Sequence, residues 1–142
     1  MVNMYEKSAL EAVTTTAQTV VADGLLTFET NTVLSGCSIT HIAGSNTVKL
    51  GKRGLYLVSV GVDLSPTAAG DIAIQLLNNG VAVPGALATV TGAAGDTYNL
   101  AFTTLVRVLP SCCAIDNTSN LQVQVTAAGT VTNANIVVVK EA

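Results

Sequence analysis

Tryptophan is missing from this 142-residue chain, and Phe 2 and Tyr 3 are all the aromatic residues it has. Charge is scarce as well: 11% of residues are Asp, Glu, Lys or Arg, against about 25% in an ordinary soluble domain. Six basic residues face nine acidic ones, for a net charge of −3, so no basic surface is available to hold nucleic acid. His41 is the only histidine, and it and the three cysteines, Cys37, Cys112 and Cys113, show no metal-ligand spacing, so no metal site is expected. No Cys-x-x-Cys occurs, and an odd number of cysteines does not form a closed disulfide framework. Adjacent Cys112 and Cys113 could join only through a strained ring, so the three are read as reduced thiols acting as small hydrophobes.

Long apolar runs are also absent. The charge-free stretch between Asp71 and Asp96 is broken by Gln75, Asn78, Asn79, Gly80 and Pro84, whereas a spanning helix needs about 20 mainly apolar residues. No membrane partner is expected. Glu6 and Lys7 stand where a signal peptide would have its apolar centre, so nothing directs secretion by that route. Asn117-Thr118-Ser119 fits a glycosylation pattern but is read as a polar turn.

What is abundant is hydrophobic residue, 49% of the chain. Such a composition with so few charges would leave apolar patches on a monomer, and large patches mark contacts. An oligomer is expected. The clearest local pattern runs from Gly54 to Leu64: Tyr56, Val58, Val60, Val62 and Leu64 on one face, Leu55, Leu57, Ser59, Gly61 and Asp63 on the other. Alternation of this length specifies a strand. The second face is half apolar, where a sheet exposed to water would be polar.

The rest of the chain after Ala17 reads as short strands between turns. Leu26 and Phe28, Ile39 to Ile42 and Thr47 to Leu50 come first. Asp71 to Leu77 follows, with a hairpin at Asn78-Asn79-Gly80 and a return strand from Val81 to Leu87. Tyr98 to Leu109 forms a second long strand, with Tyr98, Leu100, Phe102, Val106 and Val108 in phase, stopped by Pro110-Ser111. Leu121, Val123 and Val125 alternate with polar residues, and Ile136 to Val139 closes the series. Eight to ten strands without a helix after residue 16 predict an all-β, antiparallel two-sheet sandwich or jelly roll over residues 17–142. Residues 1–16 differ: Tyr5, Ala9, Ala12 and Val13 sit at helical spacing, and an N-terminal arm is expected there.

Gly54-Leu55-Tyr56-Leu57-Val58-Ser59 resembles the Gly-x-Tyr central strand of the tumour-necrosis-factor-like (TNF-like) and complement-globular-head jelly rolls. Ser38-Ile39 and the Thr47 to Leu50 strand precede it by the usual interval, and Leu121 to Val125 and Ile136 to Val139 follow. The resemblance implies a homotrimer whose threefold axis runs beside the central strand. Tyr56, Val58 and Val60 would then be internal, and Leu55, Leu57, Ser59, Leu105, Val137 and Val139 would form the trimer interface. The chain departs from the animal members in having no disulfide pattern, no collagen-like stalk and few aromatics. Small versions rich in Ala, Thr, Val and Gly look like bacteriophage virion proteins, capsid decorations or fibre heads; related modules cap bacterial surface fibres.

Three functional readings follow. The first is a trimeric capsid-decoration (cement) protein on the virion surface, made in the host bacterial cytoplasm. Its partner would be the major capsid protein or another virion component, with Met4, Tyr5, Lys7 and Leu10 of the arm as the anchor. The second is a receptor- or glycan-binding head using loops 43–46, 65–70, 91–97 and 127–133. The third, an enzyme, finds little to work with: His41 has no acid and nucleophile nearby in a recognisable set, and no cofactor motif occurs.

Overall fold

The computed structural model describes residues 7–112 and 115–142. Among the described residues there are twelve strands: β1 (Ala9–Thr14), β2 (Gln18–Val20), β3 (Gly24–Leu25), β4 (Thr30–Ser35), β5 (Ile39–Thr40), β6 (Val48–Leu50), β7 (Gly54–Pro66), β8 (Gly70–Asn78), β9 (Val81–Gly92), β10 (Tyr98–Val108), β11 (Ser119–Val125) and β12 (Gly129–Lys140). They form two sheets. One has the order β10-β7-β12-β1-β4, with β2 added against β12; the other is β5-β6-β11-β8-β9, with β3 added against β11. The pairings within both sheets are antiparallel, and neighbours are mostly distant in sequence, which is jelly-roll connectivity.

The core lies between the sheets and follows the alternation read from the sequence. Tyr56, Val58, Val60, Val62 and Leu64 of β7 are buried in one cluster with Ile136 of the same sheet and with Leu76, Leu121 and Val123 of the other. Leu100, Phe102, Val106 and Val108 of β10 join them. Tyr56 places its ring in this apolar layer and its hydroxyl at the edge, donating to the Lys52 carbonyl at 2.6 Å. Burial raises the Tyr56 phenol above its ordinary range, against the lowering effect of hydrogen bonds with Ser38 and Lys52.

Two glycines explain turns and approaches. Asn79 and Gly80 both take positive φ (51° and 81°), the requirement of the tight hairpin between β8 and β9. Gly54 opens β7 at φ +151°, and a Cβ there would meet the Ala142 carbonyl oxygen and, at 2.7 Å, the Lys140 side chain. Only glycine lets the start of the central strand lie so close to the chain's last residues.

Several expectations are corrected. Residues 9–14 are not an arm with helical spacing; they form β1, paired on one side with β12 and on the other with β4. Leu10, expected to anchor a particle, is 1% exposed and belongs to the core beside Ala12. Helix-forming residue types are overridden here by tertiary context: Leu10, Ala12 and Thr14 alternate inward, and β1 is hydrogen-bonded on both sides, to β12 and β4. The strand count exceeds eight to ten because β1, β2 and β4 carry too little alternating pattern to be read as strands. Cys37 and Cys112 are exposed free thiols rather than small buried hydrophobes, and Cys113 lies outside the described residues.

Candidate functional site

β7 turns its second face outward, and the register of its neighbours builds a continuous surface around it. Leu57 stands between Leu105 of β10 and Val139 of β12. In the next row Ser59 stands between Thr103 and Val137, and the row continues through Glu11 of β1 to Val33 of β4. Leu55 pairs with Arg107 at the margin. The six residues named as a trimer interface, Leu55, Leu57, Ser59, Leu105, Val137 and Val139, are thus neighbours on one face. Leu105 is 55% exposed, and the other five are half-buried.

Along β7 this face changes character. At the Gly54 end it is aliphatic. Beyond Ser59, Gly61 lies between Ala101 and Asn135, and Asp63 accepts a hydrogen bond from Asn99 Nδ2 at 2.7 Å. With no side chain at Gly61, a shallow polar depression of about 280 Å³ opens, bordered by Glu11, Val13, Asp63, Asn99, Asn133 and Asn135.

Lys7 is exposed and pairs with Glu141 at 3.5 Å, while Met4 and Tyr5 lie outside the described residues. Among the proposed recognition loops, three meet at the Pro66 end of the sandwich: Gly95 N–H donates to Pro66 O at 3.0 Å and Thr67 N–H to Ala128 O at 3.1 Å. Residues 129–133 are strand rather than loop, the start of β12. The 43–46 turn instead folds onto Phe28, whose carbonyl accepts Gly44 N–H at 2.7 Å.

His41 is buried beside that turn. Its Nδ1 faces Asn31 Oδ1, its Nε2 faces the Ser45 carbonyl at 3.0 Å, and its ring meets Phe28 edge-on at 6.3 Å. Both nitrogens are engaged in bracing the β4–β5 corner, a positioning role within the fold.

Sequence reasoning missed one feature, a wide cleft of about 1210 Å³ at the Gly54 end. Lys52, Arg53, Arg107 and Lys140 line it, together with Leu55, Val108, Leu109 and Pro110. These four residues are scattered over 89 positions of sequence, so no charge run announces them.

No family model matches the sequence, and no curated protein matches it. Solved structures do. The globular domain of zebrafish complement 1qA protein superposes with a TM-score of 0.72 at 8% identity, covering 96% of this chain and 98% of that one. The chain has the TNF-like jelly-roll fold. Murine APRIL shares it at a TM-score of 0.67 and 12% identity, over 95% of this chain and 99% of its own. So does the PRD1 vertex protein P5, at a TM-score of 0.59 and 15% identity, over 94% and 96%. The predicted Gly54-Leu55-Tyr56 strand, β7, lies inside one sheet of this fold, between β10 and β12.

Proposed function

We propose that this TNF-like protein is a non-enzymatic structural component of a virion, a homotrimer that decorates a phage capsid. The observation that carries the reading is the outer face of β7: Leu57, Leu105 and Val139 side by side where a lone sandwich would expose polar residues. Packing this face around a threefold axis removes the aliphatic rows from water at about 25 cal/mol per Å² buried. Likeness to the PRD1 vertex protein P5 over nearly the full length of both chains supports the virion setting. The partner in this reading is the major capsid protein or another virion component.

Sedimentation velocity at micromolar concentration is expected to return three times the 14.4 kDa chain mass, and added protein is expected to co-sediment with undecorated capsids. A monomer at that concentration refutes the reading. The convergence of loops 65–70 and 91–97 at the Pro66 end favours the receptor- or glycan-binding head as the second reading. Binding of isolated protein to cells, abolished by changes in those loops, would select it.

A further inference from the structure

The cleft at the Gly54 end concentrates charge in a chain that has little. Four of the six basic residues, Lys52, Arg53, Arg107 and Lys140, line it. Among the described residues the one ion pair is Lys7–Glu141, so none of the four cleft cations is neutralised by a carboxylate there. Four of the nine acidic residues, Asp23, Asp63, Asp71 and Asp96, lie toward the other end, near Pro66 and the loops that meet it, while Glu141 stands at the cleft end, paired with Lys7. With β7 running 13 residues at about 3.3 Å each, the two poles are roughly 40 Å apart.

We propose that this cleft binds an acidic, partly apolar segment of polypeptide, and that through it the protein docks on the particle. The lining alternates cations with Leu55, Val108, Leu109 and Pro110, which suits a chain bearing both carboxylates and aliphatic side chains. Lysine and arginine hold carboxylates by charge-assisted hydrogen bonds, and rim charges set orientation and association rate. A nucleic acid fits less well. No aromatic residue lines the cleft to stack on bases, and the chain's net charge of −3 opposes a long polyanion. Lys7, ahead of β1, lies at the same end, its carbonyl accepting from Ser35 Oγ at 3.0 Å.

This inference rests on the virion reading, for the source of the segment, and adds which end of the molecule faces the particle. It is tested by fluorescence anisotropy with a short labelled peptide of repeating Glu-Glu-Leu-Gly, its Gln-for-Glu counterpart, and oligo(dT) as probes. The acidic peptide is expected to bind in a salt-sensitive way, and the double variant K52E/R53E to weaken it by at least about tenfold. Lys49→Glu, on β6 near Asp116 and away from the cleft, is expected to change little. Arg107→Gln provides a second loss if the double variant does not fold. Equal binding of the neutral peptide, equal loss in the Lys49 variant, or tighter binding of oligo(dT) overturns the proposal. Sedimentation of the same samples separates the two ideas: a trimer that ignores the peptide refutes the cleft alone, whereas a monomer that binds it refutes the trimeric reading alone.

Discussion

Replacing Leu57 by aspartate probes the face on which the functional reading depends. The side chain points away from the core and stands between Leu105 and Val139, so the fold of one protomer has little stake in it. In a threefold assembly the same position is used three times. Leu57 is already half-buried in the lone protomer, so each protomer loses about half of the 1.5–3 kcal/mol of full leucine burial, and the trimer roughly 2–5 kcal/mol before charge is considered. Three carboxylates brought together out of water add a desolvation penalty of several kcal/mol per ion. At about 1.4 kcal/mol per factor of ten, the burial loss alone lowers the association constant by roughly one to three orders of magnitude, and the buried carboxylates lower it further. Sedimentation velocity at micromolar concentration should then show monomers, while far-UV circular dichroism and the thermal midpoint stay near those of the parent at matched association state. Val21→Asp, at an exposed turn residue between β2 and β3, serves as the control and should remain trimeric. A Leu57→Asp protein that still sediments as a trimer, or a control that dissociates equally, would refute the reasoning.

Other consequences are open to direct measurement. Leu10→Ala should cost about 2–5 kcal/mol in denaturant unfolding, since Leu10 is a packed core residue of β1; a change under ~0.5 kcal/mol would restore the arm. Tyr56→Phe should lose about 0.5–1.5 kcal/mol at neutral pH with the hydrogen bond to Lys52. Because the folded phenol titrates above its unfolded value, its contribution is complete below about pH 10 and disappears as pH rises through the folded value. Unfolding free energies at neutral and strongly alkaline pH should therefore differ less in the Phe variant than in the parent, and an equal difference contradicts the assignment.

The parts of the fold that could be read in advance are those where one physical signal dominates. In β7 and β10 strict alternation set both the strand and its inward face, down to Tyr56 and Phe102. Asn79-Gly80 fixed a hairpin because few other pairs accept two positive φ angles. β1 was obscured because Ala9, Leu10, Glu11 and Ala12 are good helix formers, and only pairing with β12 and β4 makes them a strand. The β4 strand, with Val33 and Leu34 about half exposed at a sheet edge, has too mixed a pattern to announce itself. As for the site, the outward residues of β7 were legible from period two. The basic cleft was not, because Lys52, Arg107 and Lys140 come together only when the starts and ends of three strands converge.

The placing of β12 has a consequence for how the chain assembles. It sits between β7 and β1, so the pair β10–β7 and the pair β1–β4 have no direct hydrogen bonds to each other. While a ribosome is still making residues 129–140, those halves are two separate ribbons with bare inner edges, the kind of edge that recruits other strands. The sheet closes only when the final ribbon slides in between them, a long-range step of the sort that makes folding slow. Destabilising changes in Ile136 or Val138, both fully buried, should therefore lower soluble yield as well as the melting point.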